Sequence, residues 1–446
     1  MTGMDTIVAR ATPPGRGGVS IVRVSGPAAA DIARQVCGEL PAPRMATFLH
    51  FLDAKNRAID SGIALYFPGP ASFTGEDVLE LQGHGGPVVC ELLIERILAL
   101  GARMAEPGEF ARRAFLNDKL DLSQAEAIAD LIDSGSRAAA RAANRSLDGA
   151  FSAAVMGLNE KVTELRVFVE AAIDFPDEEI DFLDDAQLRA RLGEVDAEFE
   201  RLAKTVHNGR LLRDGIQLVL AGRPNAGKSS LLNALTGSDS AIVTDIPGTT
   251  RDVIREYIDI DGLPVHLVDT AGLRDGEGLV EQEGVRRARA QLAAADHALI
   301  VVDTTSENDV DSILAELPED LPHTIVRNKT DLSGVSPGVV HGDEDEIAVS
   351  ALTGAGIDEL RQHIKHRVGF DSAAEGMITA RQRHVDRLRA ARTHFEAGRK
   401  QLLELRAGEL MADELLQVQN ALAEITGEFS SDDLLGEIFG SFCIGK

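Results

Sequence analysis

Gly222-Arg223-Pro224-Asn225-Ala226-Gly227-Lys228-Ser229-Ser230 has the spacing of a loop that cradles phosphates: glycine, four residues, then Gly-Lys-Ser. Before it runs Ile216-Gln217-Leu218-Val219-Leu220-Ala221, an apolar run of strand type. After it, Ser229-Ser230-Leu231-Leu232-Asn233-Ala234-Leu235 reads as the first turns of a helix. The glycines let the backbone turn successive N–H groups inward, and the helix N-terminus adds partial positive charge. In such a loop Lys228 reaches the β- and γ-phosphates and the Ser229 hydroxyl ligates Mg²⁺. A glycine-rich turn that merely precedes a helix is the bland alternative, and the flanking strand and helix weigh against it.

Four further segments narrow the ligand. Asp269-Thr270-Ala271-Gly272 follows the apolar run Val265–Val268, where an aspartate can hold Mg²⁺ through water and a glycine N–H can sense the γ-phosphate. Asn328-Lys329-Thr330-Asp331 follows His323–Arg327, and its aspartate can accept both the N1–H and the exocyclic amine of guanine, a donor pair that adenine lacks. Ser350-Ala351-Leu352 follows Ile347–Val349 and is expected to close over the base through backbone N–H groups. Gly248-Thr249-Thr250-Arg251-Asp252 supplies Thr250, a switch threonine for Mg²⁺ and the γ-phosphate. Each motif is weak alone; all five in order specify a guanine nucleotide-binding domain that takes GTP.

The hydrolysis chemistry departs from a common pattern. Many small GTPases place a glutamine after the Asp-x-x-Gly segment to orient water; here that position is Leu273. Downstream, Glu277, Glu281 and Glu283 are candidates for the task. Arg251, Arg255 and Arg274 lie near the switches, but none reads as an arginine finger. A bound monovalent cation is the alternative source of positive charge, and Asn225 carries a side-chain oxygen suited to it.

The 446 residues suffice for two to four domains. No apolar run approaches the roughly 20 residues that span a bilayer, and Met1–Asp5 lacks the blocks of a signal peptide. Three cysteines, Cys37, Cys90 and Cys443, without metal-ligand spacing point to a reducing cytoplasm. A net charge of −27 repels phosphate backbones and argues against a broad basic RNA-binding face. If RNA is the substrate, a basic partner or local patch must hold it.

Residues 1–117 read as a compact α/β domain. Strands are expected at Thr6–Ala9, Val19–Val24, Ile63–Phe67 and Val78–Leu81, and helices near Ala28–Val36 and Val88–Leu100. Gly83-His84-Gly85-Gly86-Pro87 reads as a turn between strand and helix. Residues 118–212 read as the first half of a helical domain, with long helices over Leu120–Arg145, Leu158–Ile173 and Ala186 to about Asn208. Arg137, Arg141 and Arg145 form a stripe expected to be a solvated helix face. The nucleotide domain, 213–372, is inserted before the second helical half, 373–446, with helices over Ala380–Leu405 and Asp413–Ile425. A frayed terminus is the expectation for Ser441–Lys446. The fold class is thus multidomain α/β plus all-α: an N-terminal α/β domain, a discontinuous helical domain, and an inserted Ras-like phosphate-loop domain with a mostly parallel sheet.

The chain resembles the tRNA modification GTPase family MnmE (TrmE) over nearly its whole length. Four blocks beside the nucleotide motifs carry the resemblance: Thr6–Ala9 with Ala11–Gly18, Gly75–Glu80, Ala114–Leu122 and Phe442–Lys446. The resemblance implies a homodimer held by N-terminal domains that bind a 5-formyl- or methylene-tetrahydrofolate, at the matching positions Arg23, Glu80, Lys119 and Lys446. It implies K⁺-stimulated GTP hydrolysis when two nucleotide domains meet, with K⁺ on Asn225, Thr244, Ile246 and Thr249. The nucleotide set then comprises Asn225–Ser230, the loop Thr244-Asp245-Ile246-Pro247-Gly248-Thr249-Thr250, and the three strand-end motifs, with Mg²⁺ on Ser229 and Thr250. By motif match the catalytic glutamate is Glu281. With an FAD-bearing partner, MnmG, such a protein installs an aminomethyl-type (5-carboxymethylaminomethyl) group at C5 of the wobble uridine of certain tRNAs, the partner supplying most of the tRNA contact. Cys443 is a candidate for that chemistry, or else a small apolar residue packing the tail. A ribosome-assembly GTPase, the rival reading, calls for a basic RNA-binding module that the sequence does not present; a non-catalytic GTP switch is the other.

Overall fold

The computed structural model describes residues 5–174, 186–236, 256–269, 292, 295–306, 310–315, 317–340, 345–371, 376–428 and 432–445. The chain divides into two compact units, Met1–Ala129 with Gln419–Lys446, and Asp130–Val418.

The first unit holds a six-stranded sheet made of β1 (Ile7–Arg10), β2 (Gly17–Ser25), β3 (Thr47–Leu52), β4 (Ala58–Phe67), β5 (Val78–Gly85) and β6 (Arg103–Met104). Its order is β3-β4-β5-β2-β1-β6, antiparallel except for the β1–β6 pair. Alternation in β2 sends Val22 and Val24 into the core and Arg23 to the opposite face. On the core side, helices Ala29–Cys37 and Pro87–Leu98 cover Val22, Val24, Phe51, Ala64, Leu79 and Leu81. Ile7 and Ala9 pack with Phe110 of helix Glu109–Leu116. Arg103 and Arg113 tie this end together through Asp5 and Glu109, and Arg113 adds Glu76.

Three expectations are corrected here. Gly83–Gly85 are strand, not turn: Gly85 pairs with Gly17, and the His84 N–H donates to the carboxylate of Asp60 at 2.7 Å. The tail is docked, not frayed. Ile444 bridges Pro107, and Phe442 is buried beside Phe439 of helix Asp432–Gly440, which packs on Ala111, Leu122 and Ala125. The stretch Leu120–Arg145 is two helices, Leu122–Asp133 and Arg137–Leu147, because the Ser136 hydroxyl accepts from the Ala139 N–H and caps a new start.

The second unit contains long helices Ala150–Asp174, Ala186–Asp214 and Gln382–Leu405, the start of helix Gly408–Thr426, and a seven-stranded sheet. Phe199 and Phe395 meet at 5.5 Å between ring centres, with the Arg392 guanidinium over both. Asp130, buried, accepts from Arg213 at 2.9 Å and Arg381 at 2.7 Å. Of the arginine stripe, Arg137 and Arg141 are exposed, while half-buried Arg145 donates to the carbonyl of Met377.

Gly215, in the left-handed region at φ 67°, ends helix Ala186–Asp214 and turns the chain into the sheet. The strands are β7 (Ile216–Ala221), β8 (Glu256–Ile260), β9 (Leu263–Asp269), β10 (His297–Asp303), β11 (His323–Asn328), β12 (Gly338–Val339) and β13 (Glu346–Ala348), in the order β12-β13-β11-β10-β7-β9-β8. The inner five are parallel, and β8 and β12 are antiparallel edges. β7 and β10 are apolar almost throughout because helices cover both faces. Among the described residues no helix is long and apolar enough to cross a membrane.

Candidate nucleotide-binding site

β7 is the strand at which the sheet's winding reverses. The chain leaves it for β8 and β9 on one side and returns to β10 on the other. A crevice opens at the carboxyl ends of such a pair, and ligands of open α/β sheets bind there. The loop Gly222–Gly227 occupies that position, followed by helix Lys228–Thr236.

Two glycines of the loop have no substitute. At Gly222, φ 152°, a Cβ would collide with the carbonyl of Val301 on β10. At Gly227, φ 94°, it would collide with the side-chain nitrogen of Asn328. The backbone thus passes against its neighbours and leaves its other side to a ligand. Asn225, exposed, also has a left-handed backbone at φ 65°. The Lys228 ammonium donates to the carbonyls of Gly222 at 2.6 Å and Arg223 at 3.2 Å, which places a positive charge on the loop it must serve. Ala226 is buried; Ser229 and Ser230 are exposed in the first helical turn.

The loop after β11, where the base reader is expected, is joined to the phosphate loop through Asn328. Asn328, buried at the end of β11, donates to the carbonyl of Ala226 at 3.0 Å. Its oxygen accepts from the N–H groups of Lys329 at 2.8 Å and Ala351 at 3.0 Å. Asp331 is exposed and is oriented by the Ser350 hydroxyl at 2.5 Å. Of the backbone N–H groups of Ser350–Leu352 expected to close over the base, the first two have partners within the protein. Ser350 spends its N–H on the Ala355 carbonyl and Ala351 on Asn328, so Ser350 acts through its hydroxyl on Asp331; Leu352 is exposed.

Two contributors escaped the sequence reading. Asp303, at the end of β10, accepts from the Lys329 ammonium at 2.6 Å, and this contact holds its carboxyl down to about 2. Thr304 shares its one hydroxyl proton between the carbonyls of Asn328 and Lys329, at 2.9 and 3.1 Å. The signal was present: an aspartate closing the apolar run Ala298–Val302, as Asp269 closes Val265–Val268.

The loop Thr244–Thr250, Thr270–Gly272, Leu273, the candidate glutamates Glu277, Glu281 and Glu283, and Lys446 lie outside the described residues, as does the side chain of Asp269. In the first unit, Arg23 and Glu80 are cross-strand neighbours whose side chains meet at 2.9 Å. The Arg23 guanidinium also lies over the rings of Phe73 and Phe110 at 5.5 and 5.7 Å. Glu80 is thus a paired carboxylate. Lys119 packs its stem near Gly75, where an added Cβ would stand 3.4 Å from its Cγ. Cys443 is exposed, while Cys37 and Cys90 are buried; burial pushes the Cys37 thiol up to about 12.

Residues 122–443 match the family model described as the MnmE helical domain, and residues 6–119 match that of the GTP-binding protein TrmE N-terminus. Among solved structures, the G domain of the T. maritima FeoB iron transporter is 24% identical over 34% of this chain and 98% of its own, with a TM-score of 0.26. The FeoB G domain from Methanococcus jannaschii is also 24% identical, over 34% and 97%, at 0.26. Era from Aquifex aeolicus, bound to GDP and aluminium fluoride, is 24% identical over 41% and 67%, at 0.28. With its N-terminal and helical segments both matched and a phosphate loop lying within the helical match, the chain belongs to the MnmE/TrmE family of tRNA modification GTPases.

Proposed function

We propose that this chain is a K⁺-activated GTP hydrolase that turns over when two nucleotide domains pair, within a tRNA-modifying complex. The observation that carries the hydrolase reading is the Asn328 bridge, which joins a phosphate loop and a base-reading loop into one polar site for both ends of GTP. Ser229 and Thr250 would hold Mg²⁺, and Asn225, Thr244, Ile246 and Thr249 would hold K⁺; the two cations supply positive charge to the phosphoryl oxygens. Lys228 adds a fixed ammonium, Asp331 selects the guanine edge, and Glu281 orients water in place of the glutamine that Leu273 replaces.

The complex would contain a homodimer of this chain and an FAD-bearing MnmG partner holding most of the tRNA, in the cytoplasm. Its product would be a 5-carboxymethylaminomethyl-type group on the wobble uridine, with carbon from a tetrahydrofolate. Arg23, Glu80 and Lys119, with Lys446, fit the carboxylates and pterin donors of a folate in chemical type, and Cys443 is available to the modification step. We assign residues 1–117 to folate binding and dimerisation, 118–212 and 373–446 to the helical domain, and 213–372 to the nucleotide domain.

GTP hydrolysis by the full chain in K⁺ and in Na⁺ tests the cation. Turnover should be at least tenfold faster in K⁺, and equal rates overturn the proposal. Glu281→Ala should lose hydrolysis by about 100-fold, the scale of a general base, while keeping GTP affinity. Unchanged turnover moves the role to Glu277 or Glu283.

A further inference from the structure

We infer that Asp303 is a positioning residue for guanine-nucleotide binding, presetting Lys329 before nucleotide arrives; this rests on the guanine-site reading above. Lys329 has a left-handed backbone at φ 67°, which a side-chain-bearing residue keeps only where its surroundings impose it. Both of its ends are held. At one end, Asp303 Oδ2 accepts from the ammonium at 2.6 Å. At the other, the Thr304 hydroxyl donates to the Lys329 carbonyl at 3.1 Å. The preceding carbonyl, of Asn328, accepts from the Thr304 N–H at 3.1 Å and shares the same hydroxyl proton at 2.9 Å.

Asp303 is itself oriented. Its Oδ1 accepts from the Thr305 N–H at 2.9 Å and hydroxyl at 2.7 Å, which turns Oδ2 toward Lys329. The stretch Asp303–Thr305 therefore braces the reader loop from β10, while Asn328 braces it from the phosphate loop. A lysine stem stretched between two anchors gives a nucleotide a fixed surface, and the ordering cost of a long side chain is met in folding instead of binding. The competing explanation is that Asp303 only closes the turn after β10. That turn uses Oδ1, which an asparagine oxygen can replace. Asp303→Asn thus keeps the turn and removes the charge facing Lys329.

The test is the affinity and dissociation rate of a fluorescent GDP on the full chain, in wild type, Asp303→Asn, Lys329→Met and the double variant. Asp303→Asn should bind GDP about tenfold more weakly, chiefly by faster dissociation, the scale of one charge-assisted hydrogen bond. The loss should appear in KM for GTP more than in kcat. In the Lys329→Met background the same substitution should change affinity less than twofold. Affinity within twofold of wild type, or an equal loss in both backgrounds, overturns the inference. Asp303→Ser, whose hydroxyl can also close the turn, is the second variant should Asp303→Asn fail to fold. Asp331→Asn separates the two readings, because asparagine offers an N–H to the C2 carbonyl of xanthine. A shift from guanine to xanthine nucleotides upholds the guanine site; its absence faults that reading and leaves Asp303 to the cycle above.

Discussion

His297 is buried at the start of β10 with one ring nitrogen 2.8 Å from the hydroxyl of Thr324, which in turn lies 2.9 Å from His363. Burial, with Arg367 and the neighbouring histidines adding positive charge, pushes its pKa down to about 4. The folded protein therefore keeps this ring neutral, while the unfolded chain takes up a proton below its ordinary value of about 6.5. Unfolded molecules bind more protons, so the histidine's contribution is fully present above about pH 6.5 and is lost as pH falls toward 4. The second unit should lose on the order of 1 kcal/mol per pH unit in that window. Urea unfolding at pH 7 and pH 5 checks it, and His297→Gln should flatten the slope; an unchanged slope removes His297 as its cause. Much of the site's residue chemistry was legible beforehand. Asn328, Asp331 and Lys228 were readable as candidates because each sits in a contiguous motif of recognisable spacing. The duty of Ser350 was not, since hydroxyl and N–H serve equally well on paper, and only the Ala355 carbonyl shows which is already spent.

At the scale of elements, the buried carboxylate of Asp130 takes two guanidinium groups, from Arg213 in the last turn of helix Ala186–Asp214 and from Arg381 at the N-cap of helix Gln382–Leu405. Arg213 stands one residue before Asp214, whose carbonyl accepts from His266 on β9, so the clamp lies beside the entry into the nucleotide sheet. Removing one member of a buried ion cluster strands the others. Asp130→Ala should destabilise the second unit by about 3 kcal/mol, read by chemical denaturation. A loss under about 1 kcal/mol would mean that water already screens the cluster. Strand and helix positions in the nucleotide domain followed from periodicity: β7 was expected at Ile216–Ala221 and lies there. Among the elements missed were β3, β6, β8, β10, β12 and helices Glu109–Leu116, Ile357–Arg367 and Asp432–Gly440. β3 alternates too weakly, with exposed Phe48 and His50, to stand out as a strand.

For the whole molecule, 45 basic against 72 acidic residues leave a net charge of −27. Self-repulsion at that charge opposes compaction, and salt screens it over about 10 Å at 0.1 M. The unfolding midpoint should rise by a few degrees between about 10 and 150 mM NaCl; a fall would show that attractive pairs such as Arg113–Glu109 outweigh the repulsion.

By itself the sequence determined the ligand class. A phosphate loop is nine consecutive residues running from a strand's end into the first turn of a helix, so its chemistry is local and its letters suffice. Tertiary structure decided which polar groups meet. Asn328 reaches Ala226 from 102 residues away, Arg381 reaches Asp130 from 251, and Asp303 meets Lys329 only because β10 and β11 run side by side. Periodicity reports whether a side chain is buried, not which partner shares its burial. Strand order sets that, and strand order is a property of the folded sheet.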